Sequence, residues 1–321
     1  KLILLFCTYI FIILEQNVII IALAPFLASI CGIIVGYKKF NLLEGVNYSY
    51  FILELRNLIS QTIPLGIISF LTIFSNKIII IIIGLLQTDA MVGNYSVSIK
   101  LIEGLLIFPI ILGKIIFPII SVNMSQINKA QKLIQYILKL LFSIASFIIV
   151  FGLILSKSII LNIFSDSFSN SYDLFQILLW TLFPLFANNI LGYIMFGLGK
   201  EGKVLKILLF NILFSSILTY YFIIQYGIFG ACYSNIISLL ITLFSYLYYL
   251  SKEFYIYIIF SSLLKSICIA VILILINNYL LNIFPNILSI LFLLTLFLIF
   301  NWILGLFKSE DLKIVKKYLI Y

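Results

Sequence analysis

The sequence predicts an all-α polytopic membrane protein with about ten transmembrane helices. Three observations carry that reading. The 321 residues are 64% hydrophobic and only 10% charged, with a mean hydropathy of +1.26. A water-soluble domain has roughly 45–50% apolar and about 25% charged residues, so the excess apolar surface must face lipid. The apolar residues fall in ten runs, most of them near the length of about 20 residues that a helix needs to cross the hydrocarbon. The basic residues crowd into alternate connectors between those runs.

The runs occupy residues 2–14, 18–36, 58–84, 94–121, 135–156, 174–198, 204–225, 229–250, 255–276 and 287–306. Each is apolar all round and lacks the period-two alternation of a membrane barrel strand, so each is expected as a helix. The first run is short, and Lys1 leads straight into it. No small-residue cleavage site follows, as a signal peptide would require. The N-terminus is therefore expected to be cut inside or just before a membrane helix.

The connectors set the orientation. One alternate set (37–57, 122–139, 199–206, 251–254 and 307–321) holds Lys38, Lys39, Arg56, Lys129, Lys132, Lys139, Lys200, Lys203, Lys206, Lys252, Lys308, Lys313, Lys316 and Lys317. The other set (15–17, 85–93, 157–173, 226–228 and 277–286) holds only Lys157. Short basic loops stay on the cytoplasmic side, so the first set and the C-terminus are expected inside. The net charge of +9 thus reports topology rather than a nucleic-acid partner. The tail "KSEDLKIVKKYLIY" is basic and amphipathic, suited to lying along the inner membrane surface.

Enzymatic and metal chemistry find little support. There is no histidine, and Cys7, Cys31, Cys232 and Cys268 sit singly in apolar runs, as small core hydrophobes do. No metal, cofactor or disulfide is expected. The largest outside connector, 157–173, has no room for a soluble catalytic domain.

Four lysines outside the connectors interrupt the apolar runs: Lys77, Lys100, Lys114 and Lys265. Ionisable groups at membrane depth are costly, and they usually face a bundle interior or a water-filled cavity. Near a helix end a lysine can instead reach the headgroups. At 100° per residue, Lys100, Glu103, Ile107, Ile110 and Lys114 form one stripe, which Ser96 and Gly93 continue. From Lys100 to Lys114 the stripe covers about 21 Å. That length favours a lumen for Lys100, while Lys114 suits either reading. A hairpin between 58–84 and 94–121 would bring Asn76 and Lys77 level with Lys100 and Glu103. Glu103 neutralises one of the three cations at most, and a positive cavity suits an anionic ligand. Lys265 has no polar stripe around it and is expected to be structural or to meet a lipid phosphate. Pro64, Pro109, Pro118 and Pro184 lie inside helical runs, where each removes a backbone hydrogen bond. Asn188 and Asn189 are expected to hydrogen-bond between helices.

The run "VGNYSVSIKLIEGLLIFPIILGKIIFPIIS" resembles the signature helix of the polysaccharide (O-antigen type) flippases, within the superfamily of multidrug/oligosaccharidyl-lipid/polysaccharide exporters. Gly93, Tyr95, Lys100, Glu103, Pro109, Pro118 and Ser121 carry the likeness. The segments "IPLGIISFLTIFSNKIIIIIIG", "FSDSFSNSYDLFQIL", "FGLGKEGKVLK" and "YGIFGACYSNIIS" are similar to others of that family, in the same order. The resemblance implies a two-lobed exporter. Residues 1–36 would be the last two helices of a truncated N-terminal lobe and 37–57 a cytoplasmic linker. A C-terminal six-helix lobe would occupy 58–250, followed by two additional helices over 251–306 and a basic cytoplasmic tail over 307–321.

The implied activity is not enzymatic. It is the flipping of a polyprenyl-diphosphate-linked oligosaccharide from the inner to the outer leaflet of a bacterial or archaeal plasma membrane, by alternating access, for surface polysaccharide biosynthesis. The implied partners are that lipid-linked substrate, membrane lipids and other polysaccharide-assembly membrane proteins. Lys100 matches a basic position that lines the central cavity, with Lys77, Lys114, Glu103 and Asn76 around it as substrate-binding residues. Asn76 stands where many relatives carry an aspartate, so the likeness does not extend to ion coupling through that carboxylate. A multidrug/cation antiporter of the same superfamily would prefer an acidic, aromatic cavity. A membrane-embedded polymerase or ligase would want a long outer loop with arginines and a catalytic acid or histidine.

Overall fold

In lipid the backbone finds no water to bond, so a spanning segment must satisfy its own N–H and C=O groups as a helix. The computed structural model describes residues 6, 9, 23–40, 48–122, 127–164, 166–251, 256–280 and 286–306, and among them every regular element is helical. The helices are α1 (Ala24–Phe40), α2 (Tyr48–Leu86), α3 (Asp89–Gly104), α4 (Ile107–Val122), α5 (Ile127–Ile163), α6 (Ser171–Leu179), α7 (Leu182–Gly197), α8 (Glu201–Tyr226), α9 (Ile228–Leu250), α10 (Ile256–Leu280) and α11 (Asn286–Ile303). A 3₁₀ turn, Asp166–Phe168, joins α5 to α6.

Among the described residues, six stretches are long and apolar enough to cross a membrane: Leu65–Leu86, Asp89–Ser121, Gln131–Ile163, Glu201–Tyr226, Ile228–Leu250 and Ile259–Tyr279. The pair α6 and α7 makes a seventh if it is counted as one broken span. Ser289–Ile303 is a shorter apolar helix. The chain is a multi-pass all-α membrane protein. The expected run 2–14, apart from Phe6 and Tyr9, and the tail 307–321 lie outside the described residues.

The helices overrun the apolar segments that predict them. Helix α5 extends over Ile127–Ile163 where the apolar run is 135–156. Apolar length sets what sits in lipid, but helical hydrogen bonding continues through the polar ends, here through Gln131, Lys132 and Lys157. For the same reason α2 starts at Tyr48, inside the expected 37–57 connector.

Two of the runs break, each one turn before a proline. Pro109 offers no N–H to the carbonyl of Leu105. Around it the Leu105 and Leu106 amides turn to the carbonyls of Ile102 and Glu103, both at 3.1 Å. This tight turn separates α3 from α4. Likewise Pro184 cannot bond Trp180, and the Trp180 and Thr181 amides bond Ile177 and Leu178 at 3.2 and 2.9 Å. There the chain bends by 52° between α6 and α7. Pro118, by contrast, lies within α4 without a break.

Contacts divide the chain into two compact units, 1–63 and 64–321. In the first, the described part is α1, whose apolar stretch is Pro25–Ile34, and the beginning of α2. The second holds the core. Helix α7 packs on α4, α5 and α9, α8 pairs with α9, and α6 lies between α3 and α5. Its centre is filled by Phe142, Phe186, Ile102, Ile116, Leu138 and Leu178, all buried. Ser98 Oγ donates to the Ser171 carbonyl at 2.8 Å and Ser171 Oγ to Asn94 Oδ1 at 3.0 Å, which ties the start of α6 to α3. Helices α10 and α11 pack on each other, and α10 rests on α5. They are fastened there by Ser143 Oγ to Asn301 Oδ1 at 2.6 Å and Ser146 Oγ to the Ser266 carbonyl at 3.0 Å.

The two turns flanking α8 depend on glycine. After α7, Gly199 adopts φ +65°, and the Lys200 amide reaches back to the Met195 carbonyl at 2.9 Å, closing the helix in a Schellman cap. After α8, Gly227 has φ +59° and ψ −143°, a region open to glycine alone. Three residues on, Gly230 lies so close to α8 that a β-carbon there would overlap the Phe222 carbonyl. Gly230→Ala is therefore expected to destabilise the α8–α9 hairpin by about 1–3 kcal/mol, as overpacking does. Thermal unfolding in detergent would show the loss, with Gly202→Ala, which meets nothing within 4 Å, as the silent control.

Candidate functional site

The layer of charge expected across α2 and α3 is present. Lys77 Nζ donates to Glu103 Oε1 at 3.1 Å, and Lys100 Nζ donates to Glu103 Oε2 at 3.1 Å. One carboxylate thus holds two ammonium groups, one from the neighbouring helix and one at i−3 on its own. Two cations against one anion leave a net charge of +1. The side chains of Lys100, Lys77 and Glu103 are 72%, 44% and 26% exposed, so the cations lie outward and the carboxylate lies behind them. Lys114 is exposed on α4 and joins neither ion pair. Lys265 donates to the Leu304 carbonyl at 3.3 Å, capping the end of α11. With Lys139, Ser261 and Ser262 it lines a small cavity of about 170 Å³.

Behind Glu103 opens a larger cavity of about 400 Å³, enclosed by α2, α3, α4, α7, α8 and α9. Asn76 and Glu103 belong to its lining, whereas Lys77, Lys100 and Lys114 do not. Its rim holds the exposed residues Thr72 and Asn76. Its deep wall holds Asn211, Ser238, Thr242 and Tyr246, all buried. Helical spacing gathers these groups. Asn235, Ser238, Thr242 and Tyr246 fall at i, i+3, i+7 and i+11 on one face of α9.

The groups of that wall are held by one another. Ser238 Oγ donates to Asn211 Oδ1 at 2.8 Å, Asn235 Nδ2 to the Tyr95 hydroxyl at 3.2 Å, and Asn188 Nδ2 to the Leu239 carbonyl at 2.9 Å. That last bond links α7 to α9, the interhelical role expected of Asn188. Among the described residues, Asn188 Oδ1 and Asn189 Oδ1 have no hydrogen-bond partner, although both atoms are buried.

Sequence reasoning pointed to the lysines, Glu103 and Asn76, took Asn188 and Asn189 for interhelical bonding, and missed Asn211 and Asn235. The lysines stood out because a charge in lipid is rare. The amide face was present in "YSNIISLLIT", where Asn235, Ser238 and Thr242 keep helical spacing, but single Ser and Thr residues are common in membrane helices and give no such contrast. Asn211, alone on α8, becomes part of the site only through the packing of α8 on α9.

No family model matches the sequence, and no curated protein matches it. Solved structures do match in fold. A structure of the lipid II flippase MurJ in an inward closed conformation superposes with a TM-score of 0.69 at 15% identity, over 94% of this chain and 65% of that one. A MOP superfamily transporter from Pyrococcus furiosus, whose binding pocket is described as having reverse polarity, gives 0.52 at 18% identity over 69% and 53%. An outward-facing multidrug resistance MATE family transporter gives 0.54 at 16% identity over 68% and 54%. The chain spans 65% or less of the length of each of these structures. At such identities the likeness is one of architecture: the chain shares the helical fold of these transporters.

Proposed function

We propose that this chain acts in a flippase that moves a polyprenyl-diphosphate-linked oligosaccharide from the inner to the outer leaflet of a bacterial or archaeal plasma membrane, for surface polysaccharides of the O-antigen type. The observation that carries the reading is the Lys77–Glu103–Lys100 cluster: a net positive charge on two membrane helices, with its cations outward. A diphosphate carries at least two negative charges and cannot enter hydrocarbon unaided. Two ammonium groups at one level offer it a counter-charge inside the membrane. Lys100, the more exposed of the two, makes the first contact as a point charge, and Lys77 follows. Lys114, exposed on α4 beyond the break, adds a third cation outside the cluster. The fold supports the reading, since a lipid II flippase shares it. In that fold, rocking of one bundle against another would present the cluster to each face in turn.

A multidrug/cation antiporter is less well served. Glu103 is the one carboxylate lining the larger cavity among the described residues, and both its oxygens are taken by lysines. A cationic drug would have to displace them.

The test is reconstitution of the intact protein in vesicles with a fluorescent undecaprenyl diphosphate disaccharide in the inner leaflet. Appearance of the label in the outer leaflet, dependent on the protein, is expected. Transport of ethidium with no movement of the lipid-linked sugar would transfer the assignment to the antiporter.

A further inference from the structure

We infer that the amide-lined cavity behind Glu103 is the subsite for the sugar end of the substrate, a neutral polyhydroxylated group. This deepens the flippase reading and rests on it. The cavity volume of about 400 Å³ falls in the range of small-ligand sites, about 300–1,000 Å³. Its walls are largely apolar, and apart from Glu103 the polar groups set in them are amides and hydroxyls. Asn76, Asn188, Asn189, Asn211 and Asn235 converge on it from four helices, α2, α7, α8 and α9. An amide both donates and accepts, as a sugar hydroxyl does, so paired bonds can form without moving a charge. Tyr193, Phe196 and Tyr246 add aromatic surface for the C–H faces of a sugar ring.

Two further facts point to a ligand. The Asn189 side chain makes no hydrogen bond to any described residue, and the Asn188 oxygen accepts none. Buried polar groups find partners in protein, water or ligand, and with no partner among the described residues these two oxygens are left to whatever fills the cavity. Position supplies the second. Glu103 belongs both to the cavity lining and to the lysine cluster. A diphosphate on Lys77 and Lys100 therefore stands at the cavity's mouth, and the first sugars attached to it lie within reach of the amides.

The experiment uses the intact protein in nanodiscs and two probes: undecaprenyl diphosphate, and undecaprenyl diphosphate carrying a disaccharide. Affinities are compared for the wild type, Asn189→Leu, Asn76→Leu and Lys100→Glu. Asn189→Leu conserves volume and breaks no protein hydrogen bond, and Asn76 lies at the exposed rim, so both variants should fold. In the wild type the sugar is expected to improve binding by about tenfold, the scale of one or two hydrogen bonds. Both asparagine variants should lose that gain and keep the affinity for bare diphosphate, while Lys100→Glu loses both. Equal binding of the two probes by the wild type, or a sugar gain that survives both asparagine variants, overturns the subsite and leaves the flippase reading standing. Failure of both probes to bind the wild type overturns the flippase reading, and the subsite with it.

Discussion

Lys100→Glu in the intact protein is expected to abolish export of surface glycan while the protein remains in the membrane. The substitution turns a cluster of two cations and one anion, at +1, into one cation and two anions, at −1. Two unit charges 4 Å apart interact by about 4 kcal/mol at an effective dielectric constant near 20. Exchanging attraction for repulsion toward a diphosphate therefore costs more than a hundredfold in binding, even after generous screening. Folding should be spared, because Lys100 is 72% exposed and Lys77 keeps its own bond to Glu103. Lys114→Glu makes the necessary comparison, since Lys114 is exposed on α4 and joins neither ion pair of the cluster. It is expected to reduce export only several-fold. Surface glycan staining beside an immunoblot of the membrane fraction reads both effects. Normal glycan in the Lys100 variant would remove the head-group role from this cluster.

Much of this arrangement was legible in the sequence, and the reasons are physical. Hydrophobic length fixes which residues sit in lipid, so the runs 58–84, 204–225 and 229–250 anticipate α2, α8 and α9 within the membrane. The level meeting of Lys77 with Lys100 and Glu103 follows from helix rise and the position of the α2–α3 turn, both readable from spacing. The breaks were only half legible. Pro109 and Pro184 mark a lost hydrogen bond, but Pro118 loses one too and leaves α4 whole. Which proline bends a helix depends on what neighbours pack at the gap, and the sequence does not state that. The amide cavity was the least legible part. Asn188 and Asn189 drew notice as pieces of interhelical bonding, and half of that is present in the bond to Leu239. Their convergence with Asn211 and Asn235 is a property of how α7, α8 and α9 cross. No periodicity within one helix encodes a meeting of three.

Glu103→Gln is expected to do the opposite of Lys100→Glu at the binding step and still to slow export. Glu103 occupies both lysines, each at 3.1 Å. A diphosphate must compete with it. Glutamine keeps the shape and one accepting oxygen, but it removes the charge and turns an N–H₂ toward one ammonium. The cluster rises to +2, and the incoming anion meets no intramolecular rival. Part of the Coulomb term, about 4 kcal/mol per pair at this dielectric, becomes available to substrate. Allowing for solvent around two partly exposed lysines, a gain of about tenfold in diphosphate affinity is expected. Release then becomes the slow step. As substrate leaves, two unpaired cations remain at membrane depth, where an unpaired charge is expensive. Glu103 thereby supplies the returning counter-charge that lets the head group go, and turnover should fall as affinity rises. Binding of undecaprenyl diphosphate to nanodisc-held protein, compared with translocation in vesicles, separates the two effects. Glu103→Asp, which keeps the charge on a shorter arm, should lie between wild type and Glu103→Gln in both. Weaker diphosphate binding in well-folded Glu103→Gln protein would mean that the carboxylate orients the lysines rather than competing with the substrate for them.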